Sequence, residues 1–376
     1  MLKPECDQQV MQNWVPKEHQ YRMPAEWEPH EAVWLQWPDI SMRGTASYAR
    51  KLQSTWLEMT SILADHVNVR IVATNDAAAD VIWRDCARFG VNISRVDVLV
   101  IPLDDVWTRD NGPIFVKGRD GKLVITDWNF NGWGESGAAI DKDRQVPTAV
   151  ANMYGLERIV GGIVTEGGAL EVNGTGTLMA TRSSIINSNR NPRKSQSYIE
   201  NALAELLGVS NFVWLSGAPS ETCYSLGDAT DFHIDLVARF ASKNVVLVNH
   251  TNDDNDPRKP FMDRHIEELR ESTDETGKHL DVVMLPTPRM LSISTVRFSG
   301  TDFSVAPGAP TDASYSNYLV TNGLVLVPVY GQLDDAKAKA IIAEHFPDRE
   351  VVGISAINVS EQGGAVHCVT QQQPVA

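Results

Sequence analysis

This 376-residue sequence predicts an α/β fold built from a recurring mixed unit. Three observations carry that expectation. Amphipathic stretches with helical period are repeatedly followed by short β-branched runs. Further strand candidates follow several of these passages, so the unit is richer in strands than a simple βαβ. The pattern recurs along the chain with no low-complexity linker to divide it. Repetition of a mixed unit suggests a propeller-like or barrel-like arrangement.

In order, YARKLQSTWLEMTSILADH leads into VNVRIVAT, and AADVIWRDCARFG leads into VDVLVIPL. TAVANMYGL then leads into ERIVGGIV, and SYIENALAELLG into NFVWLSG. MDRHIEELREST leads into LDVVMLP, and DDAKAKAIIAEHF into REVVGIS. The additional strand candidates are GPIFVKG, GTLMATRSSIIN, HIDLVARF, NVVLVNH and GLVLVPVYG. A Rossmann fold would place one helix after each strand and a glycine-rich turn after the first. No G-x-G-x-x-G follows the first strand, and no Walker A sequence occurs.

Composition narrows the function classes. The chain is 43% hydrophobic and 22% charged, which suits one large globular domain or two. No apolar run has transmembrane length. The first twenty residues contain no apolar core of the signal-peptide kind. Cys6, Cys86, Cys223 and Cys368 are few, scattered and free of any C-x-x-C pair. They suggest neither structural zinc nor a disulfide framework, and the default expectation is a reduced, cytoplasmic setting. A net charge of −15 disfavours nucleic acid and anionic membranes as partners. It is compatible with a small cationic ligand.

Candidate chemistry lies where apolar runs end. DDVWTRDNGP holds Trp107, Arg109 and Asp110. GDATDFHID holds His233 and Asp235. AINVSEQGGAVHC ends in Cys368. Polar side chains at equivalent ends of repeated units can converge on one axis and form a site from remote segments. Each cluster also has a plainer reading. A lone cysteine is commonly a small buried hydrophobe, and an Asp or Arg beside a Gly-Pro turn serves turn chemistry or a surface ion pair. An H-x-D on a strand shares one face and reads either as half a metal site or as a satisfied polar pair. A thiol, an imidazole and two carboxylates in equivalent places together point to catalysis.

The segments RMPAEWEPHEAVWLQWP, WTRDNGPIFV, DWNFNGWG, EGGALEVNGTGTLMAT, NRNP, HIDLVARF, SYSNYLV and GGAVHCVTQQQP occur in this order over nearly the whole chain. They resemble the agmatine deiminases and the bacterial-type peptidylarginine deiminases. The resemblance implies the pentein fold, a five-bladed α/β-propeller of ββαβ units around a pseudo-fivefold axis. It implies a single catalytic domain over residues 1–376, with residues 1–21 as an N-terminal extension. Six helix-to-strand passages are legible where five units are implied, which assigns the extra one to an elaborated first unit.

The resemblance also implies cysteine-dependent hydrolysis of a small cationic guanidine to a ureido product and ammonia, with no metal or organic cofactor, in a homodimer of polyamine metabolism. It places Cys368 as nucleophile, His233 as acid and base, and Asp110 and Asp235 as a guanidinium clamp. Those residue types suit the task, because two carboxylates can hold a planar guanidinium through paired N–H donors and leave its carbon facing the thiolate. Trp107 is expected as an apolar or cation–π wall, or as plain core packing. Arg109 is expected to orient a site carboxylate, and Glu166 to support the site from behind or to belong to a turn. Gly363 and Gly364 are expected to let the backbone approach closely in a final strand that delivers Cys368. His367 would face the other side of that strand and be structural.

The chain departs from the agmatine pattern before the histidine, where family members read like DETDGHVD. Ala229 stands in place of a carboxylate and Phe232 in place of a small residue. If both face the substrate, the pocket lacks a counter-charge for a distal ammonium, and guanidines with an uncharged far end become the expected substrates. The other reading is that Asp228 takes the missing role and Phe232 turns into the core. The segment 289–318 also departs from the family in detail. Three further classes stay open at this point. They are an amidinotransferase, an arginine or peptidylarginine deiminase, and a metal-dependent hydrolase using His233, Asp235 and Asp110. A binding module that has lost catalysis is the non-enzyme alternative.

Overall fold

The computed structural model describes residues 20–42, 46–135, 139–292 and 308–376. Most of the expected N-terminal extension, Cys6 and part of the 289–318 segment lie outside the described residues. Among the described residues there are five sheets, and four of them follow one plan. Two antiparallel strands are followed by a helix and a third strand parallel to the second. One such sheet is Glu171–Val172, Thr177–Thr181 and Asn211–Leu215, with helix Gln196–Leu207. The next is Ala238–Phe240, Val245–His250 and Asp281–Pro286, with helix Lys259–Glu271. Then come Leu319–Thr321, Leu324–Val329 and Glu350–Ser355, with helix Asp334–His345. The sheet of Ile114–Gly118, Leu123–Asp127 and Glu157–Val160, with helix Val146–Tyr154, adds Tyr21–Arg22 at its edge.

The fifth sheet joins the two ends of the chain. Gln371–Pro374 pairs antiparallel with His30–Gln36, which runs parallel to Asn68–Ala73 and Val96–Val100. Its two parallel crossovers are the helices Ala46–His66 and Asp76–Phe89. This accounts for the extra helix-to-strand passage, since the first unit carries one helix and one strand more than the others. The middle strands are buried on both faces, as in Thr177–Thr181, so they read as continuous apolar or small-residue runs rather than alternations. Helix ends are set by local chemistry. The Asn75 side chain accepts from Ala78 N at the start of Asp76–Phe89, and Gly90 ends that helix with φ +83°.

Two local expectations are corrected. HIDLVARF is not one strand, because Ile234–Leu236 forms a 3-10 turn and pairing begins at Ala238. GGAVHC is not an extended approach either. Residues 366–369 form a turn, and the strand starts only at Gln371. In both places the polar residues are tied to remote partners rather than to a neighbouring strand, so tertiary contacts override the β-branched pattern.

The C-terminal strand is bound by side chains as well as by its ladder. Gln373 accepts from Trp34 Nε1 at 3.0 Å, and Gln372 accepts from Arg109 Nη1 at 2.7 Å. Deleting residues 371–376 is expected to lower the melting temperature by roughly 10 °C or more, or to leave the chain insoluble. An unchanged melting curve would show that the strand contributes nothing to closing the first sheet.

Candidate active site

The segments leading into the first strands of the units converge. Asp110 precedes Ile114–Gly118, and Glu166 and Gly168 precede Glu171–Val172. His233 and Asp235 precede Ala238–Phe240, Asn317 precedes Leu319–Thr321, and Cys368 precedes Gln371–Pro374. Each of the five sheets therefore supplies a polar residue within five positions of its leading strand. The expectation that equivalent places in repeated units meet is visible in these positions.

Gly168 marks the centre. A Cβ added there would stand 2.5 Å from His233 Nδ1, 2.9 Å from Asp110 Oδ1 and 3.2 Å from Asp235 Oδ2. Only a residue without a side chain leaves this space open. Gly168 N also donates to Asp110 Oδ1 at 3.1 Å, while Trp133 Nε1 donates to Asp110 Oδ2 at 2.8 Å. Cys368 Sγ lies 3.8 Å from Asp235 Oδ2 and accepts from Asn317 Nδ2 at 3.2 Å. The Asn317 amide cannot be turned over, since its oxygen accepts from His367 N at 3.0 Å and Cys368 N at 3.3 Å.

His233 is aimed by a strained loop. Asp231 and Phe232 both have left-handed backbone, φ +62° and +60°, which is costly for residues with side chains. Hydrogen bonds hold both of them. Ser183 Oγ donates to Asp231 O at 2.7 Å and Thr181 Oγ1 to Phe232 O at 2.6 Å. The Asp228 carboxylate accepts from Thr230 N, Thr230 Oγ1 and Phe232 N, closing the turn from inside. His233 Nε2 then meets Glu166 Oε2 at 3.3 Å, leaving Nδ1 3.7 Å from Asp110 Oδ1 and with no hydrogen-bond partner among the described residues.

The charges follow from these contacts. Burial would drive the His233 imidazole toward its neutral form, but Asp110, Glu166 and Asp235 outweigh burial and raise its pKa to about 9. Burial pushes the Cys368 thiol well above the usual thiol range, and Asp235 and Asp110 push it further. Burial also raises Asp110, with the Asp235 and Glu166 carboxylates adding to it against the pull of His233 and Trp133. Asp235 is burdened by burial too, yet the hydrogen bond and charge of His367 bring its carboxyl below the usual range. Arg190 does the same for Glu166, with its Nε 2.8 Å from Oε1.

The expected supporting residues land in distinct places. Trp107 is buried, and its Cζ3 would be only 2.5 Å from a Cβ on Gly364. That same Cβ would meet Cys368 Sγ at 3.1 Å, so Gly364 is the residue that permits close approach. Gly363 does not play that part, because nothing lies within 4 Å of its missing Cβ. Its φ of +98° makes it a turn residue instead. Arg109 makes no hydrogen bond to Asp110. It donates to His367 O at 3.3 Å and to Gln372, and so fastens the turn bearing Cys368. Glu166 touches the histidine itself. Phe232 packs its ring on Phe261 and His265, at centroid distances of 5.8 and 6.0 Å. Ala229 is exposed, unlike the buried Asp228 and Thr230 on either side of it.

Sequence reasoning assigned no chemistry to Trp133, Asn317, Arg190 or Glu26. His367 was read as structural because it would face away from the site. It lies instead between two carboxylates, Nδ1 2.7 Å from Asp235 and Nε2 2.8 Å from Glu26.

A family model for Porphyromonas-type peptidyl-arginine deiminases matches residues 22–374. The chain is similar to the agmatine deiminase of Pseudomonas aeruginosa strain LESB58, 32% identical over 371 residues that cover 96% of this chain and 97% of that one. It is 33% identical to the agmatine deiminase of Stutzerimonas stutzeri strain A1501 over 372 residues, with 96% and 97% covered. The solved structure of the Enterococcus faecalis agmatine deiminase superposes with a TM-score of 0.85 at 28% identity, covering 96% of this chain and 98% of that one.

The geometry makes a titration prediction. The His233 imidazole, followed by NMR of labelled histidine and assigned with His233→Gln, should lose its proton near pH 9. Glu166→Gln removes one of the charges that raise this pKa, so the midpoint should move to lower pH while the other histidines stay in place. A midpoint unmoved by the substitution would show that Glu166 does not charge His233.

Proposed function

This chain belongs to the Porphyromonas-type peptidyl-arginine deiminase family, and from that premise we propose that it is an agmatine-deiminase-like hydrolase acting through Cys368 on a small guanidine. One observation carries the reading. An imidazole with one unpartnered ring nitrogen and two carboxylates surround the space that Gly168 leaves open, and the Cys368 thiol lies against one of those carboxylates.

Asp110 and Asp235 take the guanidinium in plane, each accepting N–H donors of the planar cation. Asp235 Oδ1 has no partner among the described residues and is free to accept. Placing a cation between these carboxylates cancels the upward push that Asp235 and Asp110 add to that of burial on the Cys368 thiol. The thiol then ionises, its proton passing to solvent water, with Asn317 Nδ2 donating to the sulfur. The thiolate attacks the guanidinium carbon and forms a C–S bond. His233 Nδ1 gives its proton to the departing nitrogen, the C–N bond breaks, and ammonia leaves. A thiouronium remains on Cys368. Neutral His233 now takes a proton from water, whose oxygen adds to the same carbon. Collapse breaks the C–S bond and returns the sulfur as thiolate, and the O–H proton of the adduct passes to solvent water as the ureido product leaves.

In the same proposal the five sheets are the blades of a pentein propeller, with the site on its axis. Five units of similar topology and the convergence of their leading strands support it. The resemblance extends the reading to a homodimer, which sedimentation of the purified chain checks.

The test is ammonia release from agmatine and other small guanidines. Cys368→Ala should lower kcat by about four orders of magnitude or more. Asp110→Asn and Asp235→Asn should each lower kcat/KM at least about 100-fold. A halo-amidine should label Cys368 and spare Cys86 and Cys223. Near-parental turnover by Cys368→Ala would sink the proposal.

A further inference from the structure

The turn over residues 187–191 carries none of the groups that surround Gly168, yet three segments of the site are fastened to it. It is closed by Asn191 N, which donates to Asn187 O at 2.7 Å. The Asn191 side chain grips the segment before Glu166 from both sides. Its Nδ2 donates to Val164 O at 2.8 Å, and its Oδ1 accepts from Val164 N at 3.0 Å. Asn189 O accepts from Asn131 Nδ2 at 2.9 Å, and Asn131 Oδ1 accepts from Gly134 N at 2.9 Å. The turn therefore also carries the loop of Trp133, the donor to Asp110. The fit is close, since a Cβ on Gly134 would stand 2.5 Å from Arg190 Nη1 and 2.6 Å from Asn189 Nδ2. The third segment is the strained loop before His233. There Asp231 Oδ2 accepts from Arg190 Nη1 and Asn189 Nδ2, both at 2.9 Å.

Arg190 joins two of these segments through one side chain. Its Nε donates to Glu166 Oε1 at 2.8 Å while Nη1 serves Asp231, and the side chain is fully buried. A rigid planar fork fixes both carboxylates at once, which the point charge of a lysine cannot do. The effect reaches His233 from two directions. The other oxygen of the Glu166 carboxylate meets Nε2, and Asp231 stands two residues before the imidazole. Left-handed backbone at Asp231 and Phe232 persists only where the surroundings over-determine it. The two donors on the Asp231 carboxylate are part of that restraint. Among the described residues Arg190 has no hydrogen bond to Asp110, Asp235 or Cys368, so it holds neither the clamp nor the sulfur.

We propose that the turn 187–191 is a positioning unit for the acid–base group, in which Arg190 and Asn189 hold Glu166 and Asp231 together so that the free Nδ1 of His233 stays aimed at the clamp. Its loss would slow proton transfer and leave guanidinium binding in place. The kinetic consequence rests on the deiminase reading, whereas the consequence for the titration of His233 does not.

The test is Arg190→Lys, which keeps the positive charge and loses the fork. With that charge retained, a change at His233 reports geometry. The charges acting on the imidazole are Asp110, Glu166, Asp235 and Asp228. A ring that swings away from Glu166 and Asp110 loses what raises its pKa. Its NMR midpoint should therefore fall from near pH 9 by about one pH unit or more, while the signals of His265 and His367 stay in place. With agmatine, kcat should fall about 10- to 100-fold and KM should stay within about threefold. An unmoved midpoint, an unchanged kcat or a loss confined to KM would overturn the assignment. If no guanidine releases ammonia even from the parent, the deiminase reading itself fails. The midpoint then still decides the role of the turn, a fall supporting it and a parental value overturning it. Should Arg190→Lys not fold, Asn189→Ala removes the second donor to Asp231 and leaves every charge. It should lower the His233 midpoint in the same sense, and a parental midpoint overturns the proposal.

Discussion

A buried cluster of charges at the meeting point of the sheets is the constraint on which the rest of the structure depends. The Glu26 carboxylate accepts from Arg239 Nη2 at 2.7 Å, His367 Nε2 at 2.8 Å and Val320 N at 2.8 Å. Arg239 also reaches Glu171 at 2.7 Å and Tyr318 O at 2.7 Å, and Arg109 Nη2 lies 3.8 Å from Glu26. All of these residues are buried. Charges removed from water are tolerated only when they are paired and hydrogen-bonded. The cluster therefore requires segments from both ends of the chain and from several sheets to be in place together. It converts a C-terminal segment, which would ordinarily fray, into part of the centre.

From that cluster the charge state of the site follows in sequence. Glu26 holds His367, His367 holds Asp235, and Asp235 faces the sulfur of Cys368. On the other side Asp231 and Glu166 hold Arg190, and Glu166 meets His233. Without substrate the site thus combines a protonated imidazole with a neutral thiol beside carboxylates. In the proposed mechanism a guanidinium supplies the cation between the carboxylates and lets the thiol ionise, which would couple reactivity to occupancy by the right ligand.

The fold was legible because helix-to-strand passages leave a strong periodic signal. The extra passage belongs to helix Asp76–Phe89 and strand Val96–Val100 of the first unit. The reading failed where polar contacts replace a ladder. His233 to Leu236 look like the start of a strand, yet two left-handed residues and the Asp228 turn impose another path. Cys368, His233, Asp110 and Asp235 were legible because their chemistry is uncommon in such places. Trp133, Asn317, Arg190 and Glu26 stood inside quoted motifs, but an indole, an amide or a distant ion pair shows its purpose only through its partner.

The central claim is that Cys368 is a neutral thiol in the free protein and becomes a thiolate when a guanidinium occupies the clamp. The most direct measurement is the ultraviolet difference absorbance of the thiolate at neutral pH, with Cys368→Ala as the blank, before and after addition of a non-reacting amidinium cation. The account predicts no Cys368 thiolate signal in the free protein and its appearance on saturation. A full thiolate signal in the free protein, or none with the cation bound, would contradict it.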